Sequence, residues 1–197
     1  MVELQHRVGG VSALTGFVTS HPGLTVKDFD SQMFKPVKDA VKAALNQDQG
    51  GLCVYCERSL KPDEGQVEHI KPKAGNNAHP HLCFVYDNYA QSCINNQTCG
   101  QKKKNGLLPI EPGPGCNQFW TLSTDGFIEP LVTLTRNQKH PVVQTRDMLG
   151  LNKDASLVRD REKWLKQANQ IAQNSPADLA AFLDQAPFRY LLADTVL

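Results

Sequence analysis

Glu68 and His69 stand side by side in Val67-Glu68-His69-Ile70-Lys71-Pro72-Lys73, between two apolar residues. A neutral imidazole can take a proton from water near neutral pH, and a carboxylate can hold a hard divalent cation. Phosphodiester hydrolysis needs both: an activated water, and charge neutralisation at the phosphate and leaving oxygen. The segment reads as a short strand stopped by Pro72, which disfavours continued pairing and keeps Lys71 extended. Neighbouring side chains of an ideal strand point to opposite faces, so this pair can serve one ion only where the strand ends or twists. Taken alone, His69 reads as a satisfied buried histidine at a strand edge. Its flanking residues change that reading.

The flanks are cysteines. Cys53-Val54-Tyr55-Cys56 is a pair spaced to put two sulfurs on one ion, and Cys93 and Cys99 form a second, looser pair. Zinc favours four such ligands in a tetrahedron, and a structural zinc would hold together a loop-rich segment poor in apolar residues, with binding energies on the order of 10 kcal/mol. His79, His81, Cys83 and Cys116 are alternative ligands. His79-Pro80-His81 reads as a loop, and Cys83, beside Leu82, Phe84 and Val85, as a buried apolar residue. A redox role for Cys53 and Cys56 lacks the βαβ surroundings it would need.

The elements that must position these residues follow from pattern. In residues 1–50, Pro36 suits a first helical turn, and Val37, Val41, Ala44 and Leu45 recur at helical spacing until Asn46 to Gly51 ends the helix. Residues 51–107 are short segments broken by Gly, Asn and Pro. In residues 108–197 a turn-rich connector (Pro109 to Gly115) leads to a hairpin around Thr124-Asp125-Gly126. An amphipathic helix is expected from Asp154 to Asn174, and Ser175-Pro176 should open a further helix. Arg159-Asp160-Arg161-Glu162 reads as a solvated, salt-bridged face. The predicted organisation is α+β: a small finger between an N-terminal helical segment and a C-terminal hairpin-plus-helices lobe.

The 197 residues carry a net charge of +1, so no global basic field advertises a nucleic-acid partner, and any contact must come from a local patch. Lys102-Lys103-Lys104 is the one dense basic run. No apolar stretch is long enough for a transmembrane helix, and the N-terminus lacks the apolar core of a signal peptide, so a cytoplasmic protein is expected.

The order Cys-x2-Cys, Glu68-His69, Asn88, Cys…Cys and then a basic segment resembles the HNH nucleases, whose ββα-metal finger is treble-clef-like and often stapled by zinc. That resemblance implies His69 as general base, Glu68 as ligand of a catalytic Mg²⁺ or Mn²⁺, and Asn88 as the middle asparagine that positions the base. Cys53, Cys56, Cys93 and Cys99 would hold the zinc, and Lys102, Lys103 and Lys104 would contact backbone phosphates. Most HNH fingers carry a third His or Asn directly after the last cysteine. Gly100 stands there in this chain, leaving Gln101 or Asn105 as candidates for that position. "CVYCE", "VEHIKPK", "YDNY", "CGQKKKN", "TDGFIEP" and "LGLNKDASLVRDRE" further resemble the PtuB family, the HNH proteins of the Septu anti-phage system. This wider resemblance implies a defence nuclease acting with a PtuA-type ATPase. The contrasting expectation, supported by Gly100, is a non-catalytic zinc finger that binds nucleic acid or protein; a third keeps the chemistry and takes RNA.

Overall fold

A computed structural model describes residues 1–196. Helix α1 spans Ser12–Ser20 and α2 spans Lys35–Asp48, with Pro36 in its first turn and Val41, Ala44 and Leu45 buried. Gly50 and Gly51 end α2 at φ of 59° and 73°, the left-handed backbone that favours glycine. The chain then makes the tight turn that carries Cys53 and Cys56. Strand β1 (Gln66–His69) pairs antiparallel with β2 (Tyr89–Ser92), with Glu68 opposite Ala90 and His69 opposite Tyr89. A short helix α3, Cys99–Lys103, follows.

Beyond it lies the hairpin of β3 (Trp120–Leu122) and β4 (Ile128–Pro130), turning at Gly126 with φ of 80°. Helix α5 (Ala155–Asn174) is capped by Asp154, whose side chain accepts from the amides of Ser156 and Leu157. A 3₁₀ turn at Pro176–Asp178 leads into α6, Leu179–Gln185, and α7 is Arg189–Val196. The mixture of helices with small antiparallel sheets is the expected α+β class.

Two elements escape the periodicity argument. Helix α4, Arg136–Met148, is polar and carries Pro141 in its interior. Its start is nonetheless written in the sequence, as a capping box between Thr135 and Gln138. Helix α7 is too short to show a period. The expectation for Arg161 is corrected. It is fully buried, donating from Nε to the Gly126 carbonyl at 2.8 Å and from Nη2 to the Leu151 carbonyl at 2.9 Å. Its neighbour Asp160 does stay at the surface, paired with Arg58 at 2.6 Å.

Buried side chains form two clusters. One joins α1 and α2 to the back of the β1–β2 sheet through Phe17, Phe29, Phe34, Leu45, Tyr86 and Tyr89. The larger joins the cysteine turn to the C-terminal elements through Trp120, Ile128, Leu157, Leu165 and Phe188. The central segment thus packs on both sides, and its strand pair is held from flanks distant in sequence. Among the described residues no helix is long and apolar enough to cross a membrane.

Candidate active site

Cys53, Cys56, Cys93 and Cys99 come together, all four sulfurs lying within 4.8 Å of one another. The Cys53–Cys99 and Cys56–Cys93 sulfur distances are 3.8 and 3.9 Å. A tetrahedron with metal–sulfur bonds of about 2.3 Å has edges of about 3.8 Å, so the cage already has the size of a zinc site. The looser second pair closes because Cys93 leaves the end of β2 while Cys99 opens α3 at φ of 58°. Burial raises the Cys53 thiol, but hydrogen bonds from the other three sulfurs outweigh it and bring Cys53 well below the ordinary range. Cys56 and Cys99, which share that one charge, are pushed up by their bonds to Cys53. The donor set fits a thiophilic divalent ion, whose charge would let all four sulfurs ionise.

His69 ends β1 and is 8% exposed. Its ring packs against Phe29 and Tyr89, with centroids 4.5 and 5.1 Å away. Nε2 lies 3.0 Å from the Cys83 carbonyl oxygen. A carbonyl only accepts, so Nε2 carries the proton and Nδ1 carries the lone pair. Burial pulls the imidazole down to about 4, so it is uncharged at neutral pH. A fixed tautomer and a free lone pair suit a general base.

Asn88 does not touch that ring. Its Oδ1 accepts from the Lys71 amide at 2.8 Å, and its Nδ2 donates to the carbonyls of Lys71 and Leu82 at 3.0 and 3.2 Å. It clamps the loop leaving β1 to the loop that supplies the Cys83 carbonyl, and so acts on His69 at one remove. Cys83 is buried, as its apolar surroundings led us to expect, and its backbone orients the histidine.

Glu68 and His69 line one cavity of about 270 Å³, together with Gln66 and Val67 of the same strand. Glu68 is not free: its Oε1 takes the Lys103 ammonium at 2.7 Å, and Lys103 also donates to the His69 carbonyl at 2.9 Å. Burial pushes the Glu68 carboxyl up, against the opposing pull of Lys103. Lys103 is buried, contrary to the expectation that all three lysines face phosphate; Lys102 and Lys104 remain exposed.

Gly100 has a steric reason. A Cβ there would lie 2.5 Å from Oε2 and 2.9 Å from Cδ of Glu68. The carboxylate occupies the space that a third side chain would need. Gln101 and Asn105 both line the cavity. Gln101 reaches Glu68 only through Gln66, donating to Gln66 Oε1 at 2.7 Å, while Gln66 Nε2 lies 3.4 Å from Glu68 Oε2. Asn105 packs against Gly75. Alternation along β1 puts Gln66 and Glu68 on one face, a signal that could have singled out Gln66.

Inside a helix, glycine to alanine ordinarily stabilises by about 0.5–1 kcal/mol. Gly100→Ala should instead displace the Glu68 carboxylate from Lys103 and destabilise, by up to about 3–5 kcal/mol if the buried ion pair is fully broken. Thermal unfolding measures it, and a raised melting temperature would refute the placement of Glu68.

No protein-family model matches the chain. The chain is 46% identical over 180 residues to a protein of Vibrio cholerae serotype O1 biovar El Tor named "Retron Vc95 putative HNH endonuclease", and the alignment covers 87% of each of the two chains. With that identity sustained across most of both chains, the protein belongs to the HNH endonuclease family.

Proposed function

We propose that this endonuclease hydrolyses phosphodiester bonds of DNA with His69 as general base. The observation that carries the reading is the His69 ring, fixed through Nε2 on the Cys83 carbonyl and presented to a cavity shared with Glu68. Nδ1 would take the proton of the attacking water. Asn88 positions the loops on which that ring rests. Glu68 Oε2, turned towards Gly100 and the cavity, fits one ligand of a Mg²⁺ or Mn²⁺ ion, which such sites hold with one or two carboxylates, waters and substrate phosphate. That ion would supply charge neutralisation at the phosphate and leaving oxygen. Lys103 keeps the carboxylate aimed. Zinc on Cys53, Cys56, Cys93 and Cys99 is the structural metal, completing a zinc-stapled ββα-metal finger of β1, β2 and α3.

The biological reading is anti-phage defence with a PtuA-type ATPase in the cytoplasm. It is supported by the motifs shared with the Septu proteins and by the retron in the relative's name. A net charge of +1 favours a partner that delivers the substrate, because one local patch gives little non-specific affinity at physiological salt. The test is cleavage of DNA and of RNA by the purified chain, with and without the ATPase, in Mg²⁺, in Mn²⁺ and in chelator. Divalent-dependent DNA cleavage is expected. Cleavage of RNA alone would change the substrate, and nucleic-acid binding without cleavage under every condition would favour the non-catalytic finger.

A further inference from the structure

We propose that Lys38 and Lys73 form a phosphate-binding site beside the His69 cavity, capped by the Asp30 carboxylate until a nucleic-acid backbone phosphate displaces it. Two neighbouring segments, the turn carrying Phe29 and Asp30 and the start of helix α2, build it with the distant loop after β1. Asp30 Oδ1 lies 3.0 Å from Lys38 Nζ, and Oδ2 lies 2.7 Å from Lys73 Nζ. Both ammonium groups also sit over the Phe29 ring, 4.0 and 4.1 Å from its centroid. That same ring packs against His69. One buried aromatic side chain thus fixes both cations next to the proposed base. Asp30 and Lys73 line the cavity with His69 and Glu68.

The two lysines are held unlike ordinary surface lysines. Their side chains are 27% and 22% exposed, whereas that of Asp30 is 69% exposed. A carboxylate bridging two ammonium groups occupies the place a phosphate's two non-bridging oxygens would take, with the same charge and similar contact distances. Asp30 is the exposed member of the trio, so its carboxylate can swing out and regain hydration while the lysines stay in place. The lysines would stay, pre-set on Phe29, with the phosphate adjoining the scissile one as their ligand. The inference rests on the nuclease reading for the identity of that ligand as a nucleic acid.

The test measures binding of a short fluorescein-labelled duplex DNA by anisotropy across a salt series, without added Mg²⁺ or Mn²⁺ so that no cleavage intervenes. Asp30→Asn should tighten binding by about fivefold. Lys73→Gln should weaken it and lower the salt slope by about 0.9, one phosphate contact. With Lys38 and Lys73 both replaced by glutamine, the gain from Asp30→Asn should vanish. Melting temperatures verify that each variant is folded. The proposal is overturned if Asp30→Asn binds no tighter, if its gain persists without the lysines, or if the parent chain binds no duplex even at low salt. Binding that responds as expected while the same chain cleaves nothing in Mg²⁺ or Mn²⁺ would instead sink the nuclease reading and leave this site standing.

Discussion

Replacing His69 by alanine is expected to lower DNA cleavage by about 10²- to 10⁴-fold, the range attributed to a positioned general base. Folding should survive. The ring fills a pocket between Phe29 and Tyr89, so a cavity penalty of about 1–3 kcal/mol is expected. The Cys83 carbonyl would not be orphaned, because the Tyr89 hydroxyl also donates to it. The cysteine cage lies on other residues, so zinc content should not change. Single-turnover cleavage, melting temperature and metal content measured on one preparation separate the roles. An undiminished rate in a folded variant would remove His69 from the chemistry. Lost cleavage with lost zinc would point to a structural role instead. Retained DNA binding beside lost cleavage is the combination that a general base requires.

The residues with the most distinctive chemistry were the most legible. The cysteines, the Glu68-His69 pair and Asn88 could be singled out because their types and order are rare together. Their geometry was partly legible. The strand does end at His69, as Pro72 suggested, but Gln66 and Val67 from within it line the same cavity, so its end is not what brings Glu68 and His69 together. What could not be read was the identity of each side chain's partner. Lys103 looked like one of three equivalent surface lysines, yet the helical turn after Cys99 points it at Glu68 and leaves Lys102 and Lys104 outside. Gly100 looked like a missing ligand, whereas it is the residue without a Cβ that lets the carboxylate in. Phe29 and Asp30 carry no local motif at all. Phe29 reaches His69, and Asp30 the cavity, only because α1 and α2 fold back onto the sheet, and no pattern within residues 51–107 encodes that. The Arg161 misreading has the same origin: its helix position is ordinary, but Gly126 lets the hairpin approach close enough to bury it, since a Cβ there would collide with the Val158 carbonyl.

The second large effect is expected from the cysteines. Replacing Cys53 and Cys56 by serine should abolish binding of about one zinc per chain and unfold more than the finger. Such a site is worth on the order of 10 kcal/mol, comparable with the whole stability of a domain. The damage should travel in a definite direction. Cys53 and Cys56 are buried in the larger core cluster together with Trp120, Ile128 and Phe188. Glu57, next in sequence, is held at φ of 61° and accepts the Tyr190 amide at 2.9 Å and the Leu191 amide at 3.4 Å, which caps the start of α7. Loss of the cage therefore frees the residue that anchors the C-terminal helix. The cluster of α1 and α2 with Phe34 and Leu45 has no cysteine from the cage and should keep part of its protection. Hydrogen exchange should show the amides of α3 and α7 opening first after zinc is chelated, with those of α2 the last to exchange. A zinc-free chain with an unchanged melting temperature and unchanged exchange at Tyr190 and Leu191 would mean that packing and hydrogen bonds alone hold the four sulfurs in place.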